Sequence, residues 1–200
     1  ATFLDLKERS DPFYARVGNR CIHIGPERDL NLFEGLDWDQ TDRLEDADLI
    51  VNTGPWVDGE TVADYEEKLA TGVELGLPMI CANPDLEVVR DGRKLVCAGA
   101  LALRYEELGG NVRWFGKPKA EIYEYCFRVL SGFDKNRIAA VGDSFRTDLA
   151  GAQNAGVDPI LVAGGIHGDE LGNPPKAEIV ASLATQWNAL PAASIPSFVW

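Results

Sequence analysis

Six short apolar runs, each followed by a turn-forming sequence, constrain the fold of this chain more than any other feature. Arg20-Cys-Ile-His-Ile24 ends at Gly25-Pro26, Asp48-Leu-Ile-Val51 at Asn52-Thr-Gly-Pro55, and Pro78-Met-Ile-Cys-Ala82 at Asn83-Pro84-Asp85. Further on, Val112–Phe115 ends at Gly116-Lys117-Pro118, Ile138–Val141 at Gly142-Asp143-Ser144, and Pro159–Val162 runs up to Gly164-Gly165. Runs this short and apolar read as buried strands. Helical patterns lie between them, at Thr61–Leu75, Ala98–Leu108, Ala120–Leu130 and Phe145–Ala155, with a last one at Lys176–Leu190. Strands alternating with helices predict an α/β fold with parallel sheets and right-handed crossovers. Two exceptions flank the pattern. Thr2–Val17 reads as a helix that must accommodate Pro12 in its first turn or at a break, and Glu87–Val96 reads as a hairpin around Asp91-Gly92. Pro196–Trp200 is apolar enough to dock on the core or add a strand.

In open parallel sheets, ligands bind just beyond the carboxyl ends of the strands. The run Val141–Asp148, VGDSFRTD, places Asp143 there and Asp148 one helical turn further on, with Ser144 as the helix N-cap and Gly156 as its stop. Two carboxylates without a neighbouring His or Cys suit a hard cation such as Mg²⁺, which retains waters and also binds phosphate. The plainer alternative is that Asp143 and Ser144 only cap the helix while Asp148 is a solvated charge. Lys117 leaves the same kind of strand end, where a lysine neutralises a phosphate or fixes a carboxylate; in isolation it reads as a surface loop residue. Asn83 alone reads as an Asx turn, and His167 as a loop residue.

Composition narrows the partners. A net charge of −13 over 200 residues argues against nonspecific nucleic-acid or anionic-membrane binding. Cys21, Cys81, Cys97 and Cys126 fit neither a zinc pattern nor a disulfide scaffold, and predict buried free thiols in a reducing, cytoplasmic setting. No apolar run reaches membrane-spanning length, and no signal peptide is visible.

Taken together, GKP at 116–118, VGDSFRTD at 141–148 and NAGVDPILVAGG at 154–165 resemble the second half of a haloacid dehalogenase (HAD) superfamily phosphatase core. CANPD at 81–85 and CAGALA at 97–102 narrow the resemblance to subclass IIA, the NagD-like and 4-nitrophenylphosphatase-like enzymes. The resemblance implies a Rossmannoid parallel-sheet core with an α/β cap of type C2. It also implies Mg²⁺-dependent hydrolysis of a phosphate monoester through an aspartyl-phosphate, on a small phosphorylated metabolite such as a sugar phosphate or a nucleotide-like compound. Lys117 then matches the lysine that offsets charge on nucleophile and phosphate, and Asp143 and Asp148 match the metal-holding acids. Asp143 is the first choice as direct ligand; Asp148 either binds through water or orients the site. Asn83 matches the asparagine placed near the site from the cap side. Trp56, in a cap loop, is a candidate to stack on a leaving group, and edge packing of its ring is an equal alternative.

The family's nucleophile lies at the end of the first core strand, and no such segment is evident here. Asp37-Trp-Asp39-Gln-Thr41 matches only in letters, because Glu34 and Gly35 interrupt what would be its strand; a polar loop is the better reading. Leu49–Thr53 likewise imitates a core motif from a cap position. The expected organisation is therefore a core helix over 1–17, a cap over 18–112 and the second half of the core over 113–200. Such a chain is expected to be inactive and incomplete at its N-terminus. It should also leave a sheet edge open, a liability for association that leaves room for a homo-oligomer. Two rivals remain: a non-catalytic binding or regulatory protein on the same scaffold, and a flavodoxin-like receiver in which Asp143 is a lone acidic ligand.

Overall fold

The computed structural model describes residues 2–9, 11–90 and 92–199, and the chain divides after Gly116 into two units. The first contains α1 (Thr2–Glu8), β1 (Arg20–Ile24), β2 (Asp39–Gln40), β3 (Leu49–Asn52), α2 (Glu66–Glu74) and β4 (Met79–Cys81). The hairpin β5 (Glu87–Arg90) and β6 (Arg93–Val96), helix α3 (Ala98–Glu107) and strand β7 (Val112–Trp114) complete it. Its sheet runs β2-β1-β3-β4-β7, parallel throughout.

Side-chain alternation decides what each face of that sheet buries. Ile22, Ile24, Ile50, Met79 and Cys81 point to a core closed by Tyr65, Leu69, Leu101, Ala102 and Tyr105 from the α2–α3 side. Cys21, Leu49, Val51 and Ile80 point the other way, onto Leu6, Tyr14, Phe33, Trp38 and Phe115. Burial on both faces explains why Leu49–Val51 is continuously apolar and β3 entirely buried. Thr61 starts the helical stretch with a capping box, its backbone N–H donating to Asp64 Oδ2 at 2.7 Å.

Three expectations meet a different arrangement. The helix over 2–17 ends at Glu8, and a short 3₁₀ turn at Tyr14–Arg16 follows. Trp38 Nε1 donates to the Leu6 carbonyl at 3.1 Å, so this segment packs on the first unit's sheet rather than serving as a core helix of the other unit. Val112–Trp114, expected as a core strand, instead pairs with β4. Its residues are only half-buried, so their apolar pattern could not distinguish one sheet edge from the other. The expected hairpin forms, although Asp91 at its tip lies outside the described residues.

The second unit contains α4 (Ala120–Val129), β8 (Ala139–Gly142), α5 (Ala150–Ala155), β9 (Asp158–Val162), α6 (Gly168–Leu171), α7 (Ala177–Trp187) and β10 (Ala193–Ile195). Its parallel sheet runs β10-β9-β8 over a core of Phe145, Leu149, Leu161, Leu171 and Leu183. The C-terminal strand lies just before Pro196–Val199, and Gly164 N–H still donates to the Pro196 carbonyl at 3.0 Å. Among the described residues β8 pairs only with β9, and Val141 on it is exposed. Helix α4 buries no residue and carries Cys126 on an exposed position, where a buried thiol was expected; Cys21 and Cys81 are buried.

Candidate active site

Strand β8 ends at Gly142, and the chain turns at once into a π-helical turn, Phe145–Leu149, that feeds α5. Ser144 caps it as the sequence predicts, its hydroxyl accepting from Thr147 N–H at 3.2 Å. Both Asp148 N–H and Leu149 N–H donate to the Ser144 carbonyl at 3.0 Å. This wide turn swings the Asp148 side chain back over the start of its own helix, where Oδ2 accepts from Asp143 N–H and Ser144 N–H at 3.2 Å each. Lys117, just beyond β7, donates from Nζ to Asp148 Oδ1 at 2.6 Å. Tyr123 on α4 adds a contact from its hydroxyl to the Asp148 carbonyl at 3.2 Å, and burial pushes that phenol up to about 12.

Asp143 faces elsewhere. Its Oδ2 accepts from Ile166 N–H at 3.0 Å, in the loop after β9. Two glycines make room for this arrangement. A Cβ on Gly165 would lie 2.1 Å from Asp143 Oδ2, and one on Gly142 would lie 2.3 Å from Asp148 Cβ and Cγ. The first glycine admits the carboxylate of Asp143 and the second that of Asp148. The second unit therefore brings three of the five residues singled out from sequence, Lys117, Asp143 and Asp148, into one hydrogen-bonded cluster at the carboxyl end of a parallel strand. Ile166, Gly142, Gly165 and Tyr123 were not among them. The Gly-Gly pair after β9 was the available signal, since a glycine at a strand end marks close approach.

The other two candidates belong to the first unit and occupy different surroundings. Asn83 Oδ1 accepts from Asp85 N–H at 3.1 Å, the Asx turn its sequence allows. It lines a cleft of about 210 Å³ beyond the ends of β1, β3 and β4, together with Arg28, Thr53, Arg90 and Cys97. Trp56 faces a separate cavity. Lys68 Nζ sits 4.7 Å from its ring and Tyr65 lies 5.1 Å away, so the indole is partly covered although 39% exposed. Asp37 and Asp39 are exposed on either side of buried Trp38, and Asp39 begins the edge strand β2.

The donor chemistry bears on a metal. Among the described residues no group of three or more His, Cys, Asp or Glu is placed to hold an ion. Mg²⁺ commonly takes one or two carboxylates and fills its other positions with water and phosphate oxygens. Asp143 fits such a role, because its Oδ1 accepts from none of the described residues while Oδ2 is fixed by Ile166.

A parallel sheet carrying an acidic pair and a lysine at its carboxyl edge has charged groups where open α/β sheets bind their ligands. Residues 114–185 match the HAD-hydrolase-like family model. A haloacid dehalogenase-like hydrolase from Brucella suis 1330 is 33% identical, with a TM-score of 0.79 over 99% of this chain and 71% of that one. The chain belongs to the haloacid dehalogenase-like family. An acid sugar phosphatase from Staphylococcus aureus is 31% identical over 131 residues, 62% of this chain and 50% of that protein. The chain thus spans about half the length of the curated relatives it matches. A glycerol phosphate phosphatase from Mycobacterium tuberculosis, solved in complex with magnesium, shares the fold at 23% identity and a TM-score of 0.56, over 75% of this chain and 44% of that one. No helix of the described residues is long and apolar enough to cross a membrane.

Proposed function

We propose that these residues form the cap and the metal-side half of a Mg²⁺-dependent phosphomonoester hydrolase, with Asn83 and Trp56 on the cap side. The cluster of Lys117, Asp143 and Asp148 at the end of β8 carries this reading. Asp143 would hold the ion through Oδ1. A bound Mg²⁺ supplies charge neutralisation and polarisation of the phosphoryl oxygens. Lys117, steadied by Asp148, presents an ammonium that offsets phosphate charge. The attacking group is an aspartate that expels the alcohol from phosphorus, and water then cleaves the aspartyl-phosphate. Neither Asp37 nor Asp39 suits that attack, since Asp39 begins an exposed edge strand of the first unit and Asp37 lies just before it. The nucleophile is therefore assigned outside these 200 residues, which are expected to be inactive alone.

A small phosphorylated metabolite, a sugar phosphate or nucleotide-like compound, is the substrate class favoured by similarity to the acid sugar phosphatase. The free thiols support a reducing, cytoplasmic location. The side of β8 that pairs with no strand among the described residues is a place for a second copy to associate.

The test is hydrolysis of 4-nitrophenyl phosphate with and without Mg²⁺. One sample is the 200-residue chain; the other is the same chain extended at its N-terminus by a core strand ending in Asp-x-Asp. Activity is expected only in the extended protein, abolished by chelator and by Asp143→Asn. Turnover by the 200 residues alone would overturn the assignment of the nucleophile. An inert extended protein would favour a non-catalytic binding module on the same scaffold.

A further inference from the structure

The acidic surplus of this chain, 32 acids against 19 lysines and arginines, is reversed at one place in the first unit. The cleft of about 210 Å³ beyond the ends of β1, β3 and β4 is lined by Arg28, Arg90 and Asn83. A second cavity, of about 530 Å³, shares Asp58, Gly59, Arg90 and Leu95 with it and adds Arg93 and Lys94 from the hairpin. Among the described residues, four cations thus line two adjoining spaces that hold two carboxylates, Asp58 and Asp85. The ion pairs on these cations are loose. Arg90 Nη1 donates to Asp58 Oδ2 at 2.7 Å, but both side chains are about half exposed. Lys94 lies 3.6 Å from Glu87, again with both partners exposed, and Arg28 comes only within 4.0 Å of Asp29. Exposed pairs of this kind contribute little and yield to a better partner. Asn83 spends Oδ1 on Asp85 N–H, which leaves its amide nitrogen with two donors for a ligand. Burial pushes the Cys97 thiol up, so this part of the cleft wall carries no charge near neutral pH. Gly59 borders both spaces at a φ of 99°, and nothing lies within 4 Å of where its Cβ would be, so a ligand can rest directly on the backbone there.

We propose that these two spaces form one site for a small molecule carrying two phosphate groups, with Arg90 between them. Arg28 and Asn83 serve the first group, Arg93 and Lys94 the second. Arg90 borders both spaces, and its planar fork presents donors along more than one edge, so it bridges the pair. Phosphate matches the cation count, because a monoester phosphate carries close to two negative charges near neutral pH. A ligand with one such group fills one space and leaves the cations of the other without a partner, which makes the site selective for two. The site lies within the first unit and does not depend on the hydrolase reading above.

The test is a metal-free titration of the ¹⁵N-labelled 200-residue chain at fixed ionic strength, followed through its amide signals. Pyrophosphate is the short two-group probe, propane-1,3-bisphosphonate the long one, and methylphosphonate the one-group control. At least one two-group probe should shift the Gly54, Gly59 and Cys97 amides saturably and bind at least about tenfold more tightly than methylphosphonate. Arg28→Ala and Arg90→Ala should each weaken that binding at least about fivefold. Arg43→Ala removes an exposed arginine that borders neither space and pairs with Glu45 and Asp46, so it should change binding less than about twofold. The comparison of probes on the wild type decides selectivity even where a variant fails to fold. Absence of saturable shifts up to about 10 mM of either two-group probe would overturn the proposal. So would equal weakening by Arg43→Ala, which would mean diffuse attraction rather than a site, and so would equal affinity for one-group and two-group probes. Shifts confined to Ser144 and Ile166 would place the anion on the second unit; they would overturn this site while supporting the phosphate-binding reading above.

Discussion

Gly142→Ala isolates the most tightly built point of the site. The backbone at Gly142 does not have a left-handed φ, so alanine is acceptable to the main chain and the cost is steric. Its Cβ would lie 2.3 Å from Asp148 Cβ and Cγ and 2.5 Å from Oδ2, where carbon atoms normally stay about 3.5–4.0 Å apart. More than an ångström must be recovered, either by moving the strand end or by withdrawing Asp148. Withdrawal breaks the 2.6 Å bond from Lys117 and two amide contacts already at 3.2 Å. The half-exposed lysine pair contributes about 1 kcal/mol after solvent screening. The two long amide bonds to a charged acceptor add about 1.5–2 kcal/mol together. Alanine returns about 0.4–1 kcal/mol by restricting the unfolded chain. The net loss is about 2 kcal/mol, which corresponds to roughly 30-fold faster exchange of protected amides that open with the unit. Native-state hydrogen exchange at Val141 and Leu161, in the paired strands β8 and β9, measures it directly. Gly132→Ala is the control, since nothing lies within 4 Å of its Cβ, and it should be neutral or slightly stabilising. Exchange in Gly142→Ala within about twofold of wild type, below the cost of even one weak hydrogen bond, would refute the idea that Asp148 is held rigidly.

Other perturbations separate the two units. Gly165→Ala places a Cβ 2.1 Å from Asp143 Oδ2 and should displace that carboxylate from Ile166, lowering activity of the extended enzyme about 100-fold; an unmoved Ile166 amide signal would contradict this. Burial holds the His23 imidazole below its ordinary 6.5, with Asp29 opposing part of the effect. The unfolded chain therefore takes up the proton first. Stability of the first unit is full above 6.5 and declines as pH falls through it, until folded His23 itself titrates. His23→Gln should flatten that decline as pH falls below 6.5 in urea melts, and an unchanged slope would rule out His23 as its source. Tyr105, fully buried, donates from its hydroxyl to the Leu77 carbonyl at 2.6 Å. Tyr105→Phe leaves that carbonyl unpaired in the core and should cost about 1–3 kcal/mol in urea unfolding; a loss within error would show that water reaches Leu77.

Much of this architecture is written in local pattern. The apolar run Leu49–Val51 predicts a strand buried on both faces because no polar side chain interrupts it, and β3 is fully buried. Ser144 declares a helix start through its own hydroxyl, and Gly156 a helix end through its positive φ. Other features depended on partners far away in sequence. Val112–Trp114 is a strand by composition, but its place beside β4 was set by pairing, which three half-buried residues do not encode. Trp56 had the composition of a stacking platform, yet Lys68 and Tyr65 pack around it.

The sequence by itself determined the α/β class, the strand ends and the chemistry available there, because period, turn residues and side-chain type are local quantities. Asp143 and Asp148 stood out on those grounds, whereas Lys117 became a candidate only through the family resemblance. Only the tertiary structure decided what each carboxylate faces. Ile166 N–H reaches Asp143 across 23 residues and Lys117 reaches Asp148 across 31. Those distances in sequence are closed by strand pairing and by two glycines that leave space for carboxylates, so the surroundings of each acid are a property of packing rather than of the motif that carries it.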